Sequence, residues 1–226
     1  MIKMTFNGRL GNLILENIGI SILAKKFNHN HDRLTEDDCK VLGVSFYNGE
    51  LSLDSFENYS DDNLMDLLKL DKIDHGIIYE GYFQVKDFVV NYKQEILDHF
   101  KLIYENSNNN DVFIHVRLGD VPDKNPGLDY YINALNSINF NNAYISSDTT
   151  DHYIIKTLIE KYNMILYNDT PINTINFAKN FNNVILSKGT FSWWIGFLSK
   201  SKNIIYPKGC EGFCGDIFVY DDWIEM

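Results

Sequence analysis

From residue 112 onward the chain alternates short apolar runs with longer amphipathic ones, and this alternation limits its fold more than any other feature. "VFIHVRL" (112–118) is followed by "LDYYINALNSI", "NAYISSD" by "DHYIIKTLIEKY", "MILYN" by "TINFAKNF", and "NVILSK" by "FSWWIGFLSK". "NIIYP" (203–207) closes the series. Strands that alternate with helices in this way predict βαβ units and a parallel sheet. The first half repeats the theme more loosely. "IKMTF" reads as a strand, "LILENIGISILAKKF" as a helix, and "HGIIYEGYF" as a strand and turn. "VKDFVVNYKQEILDHFKLIYEN" reads as one or two helices. Residues 28 to 75 are polar and acidic, with one helix at "DDNLMDLLKL". The Asn-rich "NSNNND" marks a linker, so residues 1–107 and 108–226 are expected to form two lobes.

Composition narrows the partners. A formal net charge of -11 disfavours nucleic acid and anionic lipid as partners. No run reaches the roughly eighteen apolar residues of a membrane span. The N-terminus lacks a long apolar leader, and the three cysteines, Cys39, Cys210 and Cys214, have no metal-site spacing. The chain therefore reads as a cytoplasmic protein with free thiols. "HNH" at His29 to His31 has nothing nearby to complete a ligand set, so no metal site is expected.

Within "VFIHVRLGDV", alternation puts Phe113, His115 and Arg117 on one face and Val112, Ile114, Val116 and Leu118 on the other. His115 and Arg117 thus stand near the carboxyl end of a strand, where open α/β sheets bind ligands. A guanidinium there either holds an anion, for which phosphate suits its planar fork, or pairs with a carboxylate such as Asp120. "GRLGN" (8–12) sits between strand and helix, where backbone amides and the helix dipole receive anions, although it is neither a P-loop nor a Rossmann fingerprint. In "SSD" (146–148), Asp148 either accepts hydrogen bonds from a ligand or caps the next helix. In "SKGTFSWWIGFL" (187–198), Thr190 and Ser192 either donate to phosphate or cap, and Trp193 and Trp194 read as core.

These motifs together resemble those of the α-1,2-fucosyltransferases, glycosyltransferase family eleven. "HVRLGD" is similar to that family's His-x-Arg-x-Gly-Asp signature. "GRLGN", "EGYFQ" (80–84), "DYYINAL", "SSD", "GTFSWWIGFL" and "NIIYPK" resemble its other motifs, in the same order. The resemblance implies an α/β fold of GT-B type, two Rossmann-like lobes with a cleft between them, and the C-terminal lobe holding GDP-fucose. It also implies an inverting transferase that moves fucose to a glycan acceptor without a metal or other cofactor, as in the related protein O-fucosyltransferases. Carried over by motif, Arg117 clamps the pyrophosphate with His115 beside it. Ser147 and Asp148 meet the guanosine part, and Thr190, Phe191 and Ser192 line the phosphate and base site. Arg9, Gly11 and Asn12 match the glycine turn that reaches the donor from the N-terminal lobe.

Breaking a sugar–phosphate bond leaves charge on the diphosphate, and a positioned guanidinium stabilises it. No Asp-x-Asp motif for a divalent cation occurs in the sequence. For a general base the candidates are Asp120 and Asp123; an ion-pair mechanism with late proton loss needs neither. The chain departs from the pattern in a short, acidic N-terminal lobe, in Leu13 where Gln is common, in Thr190, and in Val121 after the motif aspartate. Those departures bear on the acceptor and little on donor binding. Two alternatives stand beside the fucosyltransferase, the same fold with another GDP-deoxysugar and a non-catalytic sugar-nucleotide or glycan-binding module.

Overall fold

Parallel strands must be joined by crossovers, and the helices that make them bury both faces of the sheet. In the computed structural model the chain does this twice, in units Met1–Leu102 and Ile103–Met226. Residues 1–31, 43–105, 110–210 and 215–226 are described. Cys39 and Cys214, and most of the "NSNNND" linker, lie outside them.

The N-terminal unit carries β1 (Ile2–Met4), β2 (Phe56–Ser60) and β3 (Gly76–Glu80) in one parallel sheet of order β1-β3-β2. Helix α1 (Leu10–Phe27) is apolar nearly all round, the pattern of a buried helix, and most of its length is buried. It ends at Asn28, whose φ of +54° is the left-handed cap that asparagine tolerates, with Lys25 and Lys26 in the last turn favouring the dipole. Three short helices follow, α2 (Leu64–Lys69), α3 (Lys86–Asn91) and α4 (Lys93–Asp98).

Strand β2 falls inside the stretch read from sequence as polar, with a single helix. No residue of β2 is fully buried, so it carries little of the apolar alternation that marks a strand. Helix α4 stops at Asp98, and residues 99–105 are not helical as expected. The imidazoles of "HNH" are engaged by the backbone. His29 bonds the carbonyls of Phe27 and His75, each at 2.8 Å, and His31 bonds that of Tyr47 at 2.8 Å.

The C-terminal unit is a parallel sheet of order β6-β5-β4-β7-β8-β9. Its strands are β4 (Val112–Val116), β5 (Ala143–Ser147), β6 (Ile165–Leu166), β7 (Asn183–Ile185), β8 (Asn203–Tyr206) and β9 (Ile224–Glu225). The crossovers are α5 (Leu128–Asn136), α6 (Tyr153–Tyr162), α7 (Pro171–Ala178) and α8 (Thr190–Phe197). Strand β9 adds a pair after "NIIYP", which closed the series on sequence alone; its two residues are exposed and give no apolar signal. Helix α7 begins three residues before "TINFAKNF" because Pro171 takes the first position and the Thr170 hydroxyl accepts from Asn173 N–H at 3.3 Å.

Strand β4 lies at the centre and is buried at every residue. Val112, Ile114 and Val116 pack with Tyr131 and Leu135 of α5 and Ile155 of α6. Phe113 faces the other way, its ring 6.0 Å from Phe177 and 5.5 Å from Phe181. From β4 the chain builds outward through β5 and β6, then returns to lay β7 against the other side of β4. The strand order therefore reverses between β4 and β7. At such a switch point the loops leave in opposite directions, and a crevice opens at the carboxyl ends. Among the described residues no helix is long and apolar enough to cross a membrane.

Candidate functional site

The two motifs richest in polar groups end the two strands that flank this switch point. His115 lies in β4 on the Phe113 face, and its Nδ1 is 2.5 Å from the Ser192 hydroxyl in the first turn of α8. Ser192 Oγ also accepts the Ser187 N–H at 3.1 Å, so one hydroxyl ties the histidine to the end of β7. Burial is the main reason His115 is held down from 6.5 to about 4, Arg117 adding to the effect and Asp148 opposing it. The ring is thus neutral near pH 7. Phe191 packs against it, centroids 4.9 Å apart.

Arg117 stands one residue past β4. Its guanidinium donates to both Asp120 oxygens, at 3.2 and 3.3 Å, with 17% of the side chain exposed against 43% for Asp120. The pair sits at the rim and not in the apolar interior. Asp123 begins no helix of the core; it lies in a 3-10 turn (Pro122–Lys124), 74% exposed and 3.8 Å from Lys124 Nζ.

Asp148 is not the N-cap of the helix that follows it. Helix α6 is capped by His152, whose ring accepts from Ile154 N–H at 3.3 Å. Instead Asp148 Oδ1 accepts the N–H groups of Leu118 and Gly119, at 2.9 and 3.0 Å, and so fixes the loop that carries Arg117 and Asp120. Gly119 is required there, since a Cβ would stand 2.4 Å from Asp148 Oδ2. The Ser147 hydroxyl accepts Thr149 N–H at 3.1 Å and closes the turn after β5. At α8 the N-cap is Gly189, with φ +111°, so neither Thr190 nor Ser192 takes the capping role read for them. Thr190 is the buried first helical residue, and Trp193 and Trp194 are fully buried core.

A buried polar chain joins the two lips of the crevice, and the sequence reading missed it. Asn125 Nδ2 donates to the Arg117 carbonyl at 2.8 Å and to the Tyr131 oxygen at 3.1 Å. The Tyr131 hydroxyl donates to Ser187 Oγ at 3.0 Å. Ser187 then reaches His115 through Ser192. The signal was present in "DYYINAL", because a buried tyrosine hydroxyl needs a partner.

Arg9, Gly11 and Asn12 belong to the N-terminal unit. Arg9 is the N-cap residue of α1, and Gly11 and Asn12 lie in its first turn. Gln84 Nε2 donates to Asn12 Oδ1 at 3.0 Å, which ties "GYFQ" to the glycine turn. Phe83 of that motif holds φ at +57°, rare for a bulky residue. It is kept there by its N–H bond to Asp61 Oδ1 at 2.8 Å and by stacking on Tyr79, centroids 4.1 Å apart. Glu16 of α1 is fully buried; its carboxyl accepts the Asn7 N–H at 3.2 Å, from the segment just before the turn.

Among the described residues no group of three or more His, Cys, Asp or Glu side chains is placed to hold a metal ion. Residues 76–208 match the model for glycosyl transferase family 11, a span that includes every C-terminal motif and "GYFQ" but not Arg9 to Asn12. No curated protein is matched. Among solved structures the chain is similar to E. coli heptosyltransferase WaaC with ADP, with a TM-score of 0.52 and 9% identity, covering 99% of this chain and 92% of that one. At that identity the likeness is one of fold, and it makes the architecture an α/β fold of GT-B type.

Proposed function

The chain belongs to glycosyl transferase family 11 and is a glycosyltransferase, and from that premise we propose that it transfers L-fucose from GDP-fucose to a glycan hydroxyl, with inversion, forming an α-1,2 linkage. The observation that carries this reading is the position of the family signature: His115 lies in the central strand and Arg117 one residue past its end, at the switch point of the C-terminal sheet.

The leaving group is a diphosphate that gains charge as the glycosidic carbon departs. Arg117 meets that charge by exchanging Asp120 for phosphate oxygens, one anion for another at a partly exposed rim. Asp120 holds the guanidinium ready until then. His115, neutral, stands beside the diphosphate, and the α8 amides around Thr190 and Phe191 add a favourable dipole. Ser147 and Asp148 shape the loop beside the guanosine part. A role for Arg9, Gly11 and Asn12 toward the donor is supported by their match to the family's glycine turn.

Charge neutralisation by arginine lets the reaction run without a divalent cation. Asp123, which no guanidinium among the described residues holds, is the carboxylate we assign to receive the acceptor proton. With an oxocarbenium-like transition state that proton leaves late and asks little of the base.

The test is calorimetric titration with GDP-fucose, GDP-mannose and UDP-sugars, followed by an acceptor screen for transfer. Binding confined to GDP-linked sugars and transfer of fucose are expected. Preference for another GDP-deoxysugar would move the donor assignment, and tight binding without turnover on any glycan would make the protein a binding module.

A further inference from the structure

The crevice at the switch point has two lips, and the reading above puts a cation on only one of them. Lys188 stands on the other. Strands β4 and β7 pair in parallel with Phe113 opposite Val184 and Ile114 opposite Ile185. Carried forward, that register sets Arg117 opposite Lys188. Paired residues in a parallel sheet share a face, and the neighbours confirm the alternation on β7. Ile185 lies in the cluster with α5 and α6, and the Ser187 hydroxyl reaches Tyr131 of α5. Continued past the end of β7 to Lys188, that alternation gives the opposite face, that of Phe113, His115 and α8.

The surroundings of the ammonium suit an anion. Lys188 immediately precedes Gly189 and the first turn of α8, where backbone N–H groups lack helical acceptors. Its Nζ lies 3.3 Å from the point a Cβ on Gly209 would occupy, against the loop that follows β8. Among the described residues it has no ion pair or hydrogen bond. In a chain with 31 acidic residues and 20 basic ones, this lysine at the carboxyl edge of the sheet has no carboxylate partner among the described residues.

We propose that Lys188 is a second cation for the donor's diphosphate, a mobile point charge on the β7 lip facing the fixed fork of Arg117 on the β4 lip. A diphosphate presents two anionic centres, and a guanidinium alone matches one of them. The proposal rests on the nucleotide-sugar reading and deepens it.

The experiment is titration of the unaltered protein, Lys188→Gln and Lys188→Arg with GDP and with guanosine, at low and moderate salt. Lys188→Gln is expected to weaken GDP binding about tenfold, to flatten its salt dependence, and to leave guanosine binding unchanged; Lys188→Arg is expected to retain most of the GDP affinity. Equal GDP affinity in the unaltered protein and Lys188→Gln would overturn this proposal and leave the donor reading standing. Failure of the unaltered protein to bind GDP at all would overturn both. Far-UV circular dichroism and thermal melts of each variant separate loss of fold from loss of the cation.

Discussion

The Ser192 hydroxyl and the His115 ring meet at 2.5 Å, joining the central strand β4 to the first turn of α8 across the strand-order reversal. The contact ties a buried histidine to the start of the helix beside it. Removing the hydroxyl leaves a buried ring nitrogen without its partner. Ser192→Ala is expected to cost about 1–3 kcal/mol in chemical denaturation. A loss well below 0.5 kcal/mol would mean that the contact does not organise the site.

The same histidine makes an acid limb. Its pKa is about 4 in the folded protein and near 6.5 unfolded. Between those values the unfolded chain binds more protons, so stability is present above about 6.5 and is lost as pH falls toward 4. His115→Gln is expected to be less stable overall but flatter across that window, measured by urea midpoints from pH 4 to 7. An unchanged slope would contradict the burial argument.

Glu16 gives the opposite sign. Burial, aided by Asp61 and opposed by the Asn7 N–H, raises its carboxyl from 4.5 to about 7. Between those values the folded state holds the extra proton, so this group's effect erodes stability as pH rises from about 4.5 to 7. Glu16→Gln is expected to be more stable than the unaltered protein at pH 8, by roughly 1–3 kcal/mol. Equal or lower stability at pH 8 would show that the ionised carboxylate is welcome where it stands.

Asp148 tests the loop rather than the ligand. Asp148→Ala removes acceptors from Leu118 and Gly119, and Gly119→Ala drives a Cβ into the carboxylate. Both are expected to lower the melting temperature and raise the donor KM together. A donor KM that rises with no change in melting would point to direct contact with the nucleotide.

Activity is expected to survive prolonged EDTA treatment, because arginine and not a divalent cation is assigned to the leaving group. A strong loss restored by manganese would reverse that assignment.

The C-terminal half was far more legible in the sequence than the N-terminal half, for a physical reason. Strand β4 and its neighbours are buried, so apolar runs announce them, and the alternation that placed Phe113 and His115 on one face and Val112, Ile114 and Val116 on the other holds in the structure. Strand β2 is only partly covered and β9 is exposed, so neither left an apolar pattern to read. Among the polar residues, type alone could not separate capping from tertiary bonding. Asp148 reaches back thirty residues to the loop after β4, and Ser192 crosses to a histidine; only pairing of distant strands reveals either partner. Lys188 went unread because a lone lysine carries no motif until strand order sets it opposite Arg117.

The central claim is that Arg117 receives the departing diphosphate, and the direct measurement is fucose transfer from GDP-fucose by Arg117→Ala beside the unaltered protein, with folding verified by its thermal melt. The account predicts a folded variant whose kcat/KM falls by about 100-fold or more. A folded variant turning over at near the unaltered rate would contradict it.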